Sequence, residues 1–179
     1  MSLNFRAIER NLCIVLDSKM PSILCPLEDN GANALICYGY VDRTAGLTLA
    51  VLALCLYVDG DYTIVNENKK VSTIIRAEKY SDNQIIPIKN VALMKRFEDR
   101  IRGIKETYYL GDNVEKSREN TYIDEFRHPC YPDDVQAILL EKGLKPEQIW
   151  VRLLRHICKT DTGDFFEGKL LNNPFERGY

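Results

Sequence analysis

Several widely used signatures are missing from this 179-residue sequence, and each absence excludes a class of site. It contains no Gly-x-Gly-x-x-Gly or Walker-type loop, no Gly-x-Ser-x-Gly elbow and no His-Glu-x-x-His. The commoner nucleotide-binding, hydrolase and metalloprotease motifs are therefore excluded. It has only two histidines and no Cys-x-x-Cys pair that could begin a zinc site. The sequence predicts neither a metal nor a cofactor.

An excess of positive charge is also missing. The 24 lysine and arginine residues are outnumbered by 26 aspartate and glutamate residues, which gives a formal net charge of −2. No global positive field therefore exists to hold a phosphate backbone or anionic lipid. The most basic stretch, "MKRFEDRIRGIK", also contains acids, which is typical of a solvated helix face. We expect no nucleic-acid partner.

Long apolar runs and paired cysteines are absent too. The longest apolar run, residues 46–58, is too short to cross a bilayer, and the N-terminus lacks a signal-peptide pattern. Four of the six cysteines lie among apolar neighbours, as small hydrophobic residues do in a reducing compartment: Cys13, Cys25, Cys37 and Cys55. A disulfide framework is the alternative, but a chain of this length does not need one. These features predict a cytoplasmic protein without a membrane partner.

Residues 1–110 predict an α+β domain. Apolar residues spaced by three and four along residues 5–16 predict an opening helix, which Pro21 ends. Residues 21–80 hold strand-forming segments separated by turn residues such as Asp59-Gly60, and they predict an antiparallel meander of about five strands. An apolar stripe then predicts a helix over residues 91–108 that covers one face of the sheet. The members of the stripe are Met94, Phe97, Ile101, Ile104 and Tyr108.

The composition changes after this helix. Residues 111–126 are polar and charged, which predicts a connection that is partly helical at most. Residues 127–179 predict a small helix-plus-strands module. Its helix spans residues 132–143, with acids at the start and Gly143 at the end, and two strands follow in "EQIWVRLLRHI" and "DFFEGKLLNN". The predicted fold class is α+β, an antiparallel β-meander packed with helices plus a smaller C-terminal α/β-rich module.

The stretch "EFRHPCYPDD" is the densest group of chemistry-bearing residues. Cys130 lies two residues after His128 and ahead of the predicted helix start, an arrangement that can activate a thiol. A thiol-dependent enzyme, using Cys130 with His128 or the distant His156 as base, is one functional hypothesis. In the other interpretation, two prolines stiffen the connection and its acids begin a helix. The sequence favours this second interpretation, so we assign no catalytic residue.

Short motifs in the last 40 residues carry a resemblance. Their positions are Pro146, Glu147, Trp150, Val151 and Arg152, then Gly168, Leu170, Asn172 or Asn173, and Pro174. The pattern resembles a family of small bacterial domains of unknown function with Pro-Glu, Trp-Val-Arg and Gly-x-Leu-x-Asn-x-Pro motifs. Some of these domains are found among bacterial immunity and accessory proteins. The resemblance implies a β-rich module and a biological setting, and no reaction.

Trp150 and Arg152 share one face of a predicted strand, because side chains alternate along a strand. Trp and Arg are the residues most enriched at binding hot spots. With Asn172 and Asn173 they form the candidate binding site; alternatively, Trp150 is a core residue whose edge Arg152 covers. We therefore predict a non-enzymatic bacterial interaction or accessory module, with an immunity-type role as one possibility. Its predicted partner is another protein or a second copy of the chain.

Overall fold

The computed structural model describes residues 4–24, 31–68 and 73–175. The chain divides into two compact units, Met1–Tyr109 and Leu110–Tyr179. Each unit holds one antiparallel sheet, of six and four strands respectively, together with helices. The predicted α+β class is confirmed. Across the described ranges, no helix is long and apolar enough to span a membrane.

The N-terminal unit contains four helices and six strands within its described residues. In chain order they are α1 (Phe5–Ile8), β1 (Leu12–Leu16), α2 (Met20–Leu24), β2 (Ala34–Asp42), β3 (Gly46–Val58), β4 (Asp61–Glu67), β5 (Ile74–Arg76), β6 (Ile85–Ile88), α3 (Val91–Arg96) and α4 (Glu98–Thr107). The sheet order is β4-β3-β2-β1-β6, and β5 pairs with β3 beside β4. Strands β2 and β3 are therefore central, which explains why both are almost entirely apolar.

The hairpin between β3 and β4 forms where the sequence predicts it. Asp59 and Gly60 occupy the turn with φ angles of 50° and 96°. Asn, Asp and Gly tolerate this left-handed region best, so the dipeptide fixes the turn and the register that follows. The apolar run of residues 46–58, which periodicity alone leaves ambiguous, is a strand.

Helices cover both faces of this sheet. On one face, the predicted helix over residues 91–108 is confirmed as α3 and α4, which meet at Phe97 and bury Leu93, Phe97 and Ile101 against the sheet. On the other face, α1 and residues around Ile75 and Ile85 form a second apolar cluster. The central strands are thus buried between two layers.

The predicted opening helix over residues 5–16 is wrong beyond Ile8. Helix α1 ends there, and residues 12–16 form β1, which pairs with both β2 and β6. The apolar spacing arises because β1 is buried on both faces, so its residues need no alternation. Gly39 of β2 allows the end of α1 to approach, since a Cβ on Gly39 would overlap the Ile8 carbonyl.

Two predicted strands of the meander also change. "SILCPLE" is helical over residues 22–24, within α2, and its residues 25–28 lie outside the described part of the chain. In "KKVSTIIRAEKY" the strand is limited to β5, a 3-10 turn follows it, and residues 69–72 are likewise not described.

The C-terminal unit contains one helix and a four-stranded sheet within its described residues. The elements are α5 (Asp112–Glu119), a 3-10 turn (Asp124–Phe126), β7 (Arg127–His128), β8 (Tyr131–Leu139), β9 (Glu147–Thr160) and β10 (Gly163–Leu170). The sheet order is β10-β9-β8-β7. The two predicted C-terminal strands are confirmed as β9 and β10. Within residues 111–126, predicted as a connection, α5 buries Val114, Ser117 and Arg118.

The predicted helix over residues 132–143 is wrong, because residues 131–139 form β8. The two acids that suggest a helix start instead bind arginines on opposite faces of the strand. Asp133 binds Arg118 of α5, and Asp134 binds Arg152 of β9. Gly143, with a φ of 90°, lies between β8 and β9.

Candidate functional site

The two faces of the C-terminal sheet have different surroundings. Helix α5 packs against β8 and β9 on the face where Ile149 and Leu153 are buried. Gln136 pairs with Trp150, and Asp134 with Arg152. Directly opposed residues share a face and neighbours alternate, so these two pairs lie on the face opposite α5. We call this second surface the aromatic face.

Trp150 belongs to a small aromatic cluster on this face in which His128 is the middle ring. Its ring lies 5.6 Å from the ring of His128, and His128 lies 5.2 Å from the ring of Tyr131, both edge to face. All three side chains are half-buried. Such edge-to-face contacts add to the stabilisation from burial and hold each ring in one orientation. The cluster therefore presents a rigid apolar surface.

The segment after β10 fixes the backbone at Trp150. The Trp150 N–H donates to Asn172 Oδ1 at 3.0 Å, and the Leu171 N–H donates to the Trp150 carbonyl at 2.9 Å. Two candidate binding residues of the sequence, Trp150 and Asn172, are thus brought together. Asn173 is exposed. The Asn172 side chain acts on the Trp150 backbone, which gives it a positioning role.

Arg152 is held beside Trp150 by a two-pronged ion pair. Its Nε and Nη2 donate to the two carboxylate oxygens of Asp134 at 2.6 and 2.8 Å. This hydrogen bonding raises the pKa of Arg152, so the guanidinium stays charged. The pair leaves Nη1 for a further acceptor, and the side chain is 25% exposed. Arg152 is therefore positioned in advance for an incoming hydrogen-bond acceptor.

Exposed apolar side chains continue the aromatic face outwards. Ile138 follows Asp134 and Gln136 in the alternation of β8 and is 65% exposed. Phe165 follows Lys169 in the alternation of β10, where Lys169 opposes Arg152, and it is 51% exposed. Exposed groups of large apolar residues around a rigid centre mark interaction surfaces more often than isolated ones do.

The structure assigns His128 a role in the turn between β7 and β8. Its Nδ1 accepts the backbone N–H groups of both Cys130 and Tyr131 at 3.2 Å. A ring nitrogen that accepts two amides is occupied as an acceptor, so the ring proton belongs on Nε2. Nδ1 is accordingly not placed to take a proton from the Cys130 thiol. The stretch "EFRHPCYPDD" is a turn between two paired strands, and Cys130 is 9% exposed.

His156 lies on the other face of the sheet. Its Nε2 is 2.7 Å from Asp164 Oδ1, and its ring is 5.1 Å from that of Phe166. The hydrogen bond from His156 lowers the pKa of Asp164. This pair borders a pocket of about 260 Å³ that residues of α5 also line. The structure thus separates His156 from the cluster around Trp150.

Sequence reasoning placed Trp150, Arg152 and Asn172 in the site and missed Tyr131 and Asp134. The missed signal is Val135 between the polar Asp134 and Gln136, with the apolar Ala137 two residues later, which is compatible with a half-buried strand. The register of β8 against β9 then places Asp134 opposite Arg152.

Comparison of the chain with protein-family models, curated proteins and solved structures found no match. Within the described ranges, no group of three or more His, Cys, Asp or Glu side chains is arranged to hold a metal ion.

Proposed function

We propose that this chain is a non-enzymatic interaction module that binds another protein through the aromatic face of its C-terminal sheet. One observation carries the proposal: the rigid ring cluster of Trp150 and His128 lies beside an Arg152 that Asp134 holds in place. Binding energy concentrates in a few Trp, Tyr and Arg residues that are rigid before the partner arrives. The exposed Ile138 and Phe165 supply the surrounding apolar contact.

The charges of this face indicate the chemistry of the partner. Arg152 is neutralised by Asp134, and Arg155 forms a salt bridge with Glu167. Lys169, which opposes Arg152, adds one positive charge. The face therefore offers mainly apolar contact with a small net charge, and a strongly charged partner has little to complement. We propose that the partner inserts an apolar protrusion onto this face and that one hydrogen-bond acceptor of the protrusion reaches Arg152 Nη1.

The biological setting is part of the same proposal. The resemblance of the last 40 residues favours a bacterial accessory role, with an immunity-type role as the narrower version. Cys13, Cys37 and Cys55 are buried thiols outside any disulfide, as is common in a reducing compartment. We therefore propose a cytoplasmic location.

Site-specific photo-crosslinking tests the proposal. Ile138→p-benzoylphenylalanine places the crosslinker on the aromatic face. The control is Val91→p-benzoylphenylalanine, at a position of the N-terminal unit that is 86% exposed. We expect a protein adduct in cells from position 138 that is absent from position 91. Adding Trp150→Ala should remove that adduct. Identical adducts from both positions, or an adduct that persists with Trp150→Ala, would contradict the proposal. An adduct between two copies of the chain would show that the partner is a second copy rather than a different protein.

Stability measurements separate binding from folding. Because Trp150 is half-buried, Trp150→Ala should lower the free energy of unfolding by only about 1–2 kcal/mol. Its effect on binding should exceed about 2 kcal/mol if it is a hot spot. Unfolding followed by circular dichroism and affinity for the crosslinked partner give both numbers. A large loss of stability with unchanged affinity would show that Trp150 only supports the fold.

A further inference from the structure

A groove of about 700 Å³ lies in the N-terminal unit, along the C-terminal half of α4 and strands β3 and β5. Its lining is mainly apolar and includes Tyr40, Ala50, Ile74, Gly103, Ile104 and Tyr108. Volumes of this size are typical of small-molecule sites, which combine apolar walls with a few polar groups. Residues of the aromatic face take no part in the groove, so this inference is independent of the proposed function.

Gly103 is the first feature that indicates an occupant. It lies in the middle of α4, where glycine makes a helix less stable than alanine does. A Cβ built on Gly103 would meet nothing within 4 Å. Neither the packing of the chain nor a left-handed backbone requires glycine here. The absent side chain instead widens the groove, which is useful when the groove receives a ligand.

The tyrosine pair supplies the polar groups. The rings of Tyr40 and Tyr108 lie 4.3 Å apart at an angle of 40°. Burial, and then the interaction with the Tyr108 side chain, raises the pKa of Tyr40 above its ordinary value. Tyr40 is therefore a neutral phenol at physiological pH. A phenol can donate or accept a hydrogen bond. Tyr108 is half-buried, so its ring is available to a flat molecule in the groove.

Arg100 also borders the groove, and backbone carbonyls engage two of its three guanidinium nitrogens, whereas its buried Nε has no hydrogen-bond partner. Its Nη1 donates to the Asn68 carbonyl at 2.6 Å, and its Nη2 donates to the Val51 carbonyl at 3.0 Å. The guanidinium therefore fastens α4 to the edge of β3 between β4 and β5. The carboxylate of Asp99 also lines the groove, so the two opposite charges leave little net charge to attract an ionic ligand. This balance favours a neutral ligand.

We propose that this groove binds a neutral, flat aromatic molecule with one hydroxyl group, placed over Gly103 and against the rings of Tyr40 and Tyr108. The ring contacts give shape selectivity, and the tyrosine hydroxyls receive the hydroxyl group. An acyl chain would use the apolar walls but not the rings or the hydroxyls.

Titration with 2-naphthol, followed by its own fluorescence at pH 7, tests the proposal with two matched variants. Gly103→Ala adds one methyl group and should keep the affinity. Gly103→Leu fills the groove and should weaken binding at least about tenfold. Both variants should melt at or above the wild-type temperature, because both residues favour a helix more than glycine does. Binding to Gly103→Leu at wild-type affinity would show that the molecule binds elsewhere.

Two further measurements define the ligand class. Tyr108→Phe should reduce the preference for 2-naphthol over naphthalene, since it removes one hydroxyl and retains the ring. Decanoate should bind more weakly than 2-naphthol. A groove that binds decanoate in preference, or neither probe, would overturn the proposal.

Discussion

The two sheets of this protein bury their strands in different ways. Helices and loops cover both faces of the N-terminal sheet, and the interior of β2 and β3 is apolar almost throughout. In the C-terminal unit α5 covers one face, and the interior contains charged residues. Of the buried polar or charged residues in the described chain, only Thr48 belongs to the N-terminal unit. The others are Ser117, Arg118, Arg127, Asp133 and Asp134.

Two arginines organise the smaller unit. Arg118 donates to both oxygens of Asp133 at 2.7 Å, which joins α5 to β8. Arg127 is almost fully buried and donates to the carbonyls of Ser117 and Pro132 and to the carboxylate of Asp124. A small unit buries a smaller fraction of its surface than a large one. In the C-terminal unit, networks of arginine hydrogen bonds hold chain segments in place. In the N-terminal unit, apolar burial has this role.

The largest effect should come from a charge in the doubly covered sheet. Ile101 is 3% exposed among Leu93, Phe97 and the sheet residues. Ile101→Asp removes this burial and places a carboxylate in an apolar core, at a combined cost comparable with a domain's net stability of about 5–15 kcal/mol. We expect the N-terminal unit to unfold. Hydrogen exchange of β2 and β3 measures this.

Lys105→Asp is the matched control, because it introduces the same charge on the exposed side of α4. It should leave the exchange of β2 and β3 slow. Retained protection in Ile101→Asp would contradict the two-layer burial described for this sheet.

The next effect concerns the buried ion pair of the C-terminal unit. Asp133→Ala removes the carboxylate that binds the buried Arg118 at 2.7 Å and leaves the longer contact of 3.5 Å to Glu115. Breaking a buried pair costs about 3–5 kcal/mol. Urea unfolding followed by fluorescence measures this change in the C-terminal unit, since Trp150 is the only tryptophan. The exposed Asp161→Ala should have little effect.

The double variant Arg118→Leu with Asp133→Val sharpens the test. Replacing a buried pair by apolar residues is often neutral or stabilising. We expect the double variant to recover most of the stability that Asp133→Ala loses. If the double variant is no more stable than Asp133→Ala, the arginine contributes by packing and by its other contacts rather than by the pair.

The elements that the sequence predicts well are those with local signals. The turn dipeptide Asp59-Gly60 marks the hairpin after β3, and the stripe through Phe97 and Ile101 marks the helix over residues 91–108. In each case the signal lies within a short continuous segment of the sequence. Such signals need no knowledge of which segments meet.

The wrong predictions share a different cause. Asp133 and Asp134 look like the start of a helix, yet their partners are Arg118 and Arg152, 15 and 18 residues away. In the candidate site, Trp150 and Arg152 are predicted from their alternation, whereas the contact of Trp150 with His128 depends on how β7, β8 and β9 align. Cross-strand register is a tertiary property, so residue patterns within one segment do not contain it.

The smallest expected effect is a difference in how fast the cysteine thiols of the two units are alkylated. Burial raises the pKa of Cys13 to about 12 and of Cys55 to about 11, and it raises the pKa of Cys37 well above its ordinary value. Only the thiolate reacts with iodoacetamide, so these three should stay unlabelled in the native protein at pH 8. Cys158 is exposed and should react, and mass spectrometry resolves each site.

The same shifts predict how the stability of the N-terminal unit depends on pH. A raised pKa means that the folded unit binds more protons than the unfolded chain above pH of about 8.5. The stabilisation is complete below that pH and is lost as pH rises towards 11–12, by about 1.4 kcal/mol per pH unit for each thiol. Urea unfolding at pH 7.5, 9 and 10 measures this change in the free energy of unfolding, with the alkylation of Cys13 and Cys55 as the signal that reports unfolding. Cys13→Ala should reduce the slope, and an unchanged slope would contradict the assignment.

Cys130 provides the remaining comparison, because it tests the thiol-enzyme alternative in the same labelling experiment. His128 Nδ1 accepts backbone amides and Cys130 is nearly buried, so we expect Cys130 to label more slowly than Cys158 at every pH. Faster labelling of Cys130 below pH 7 would instead identify an activated thiolate. That result would favour catalysis over binding, and Cys130→Ser, which keeps the shape of the turn, would then be the variant in which to look for lost turnover.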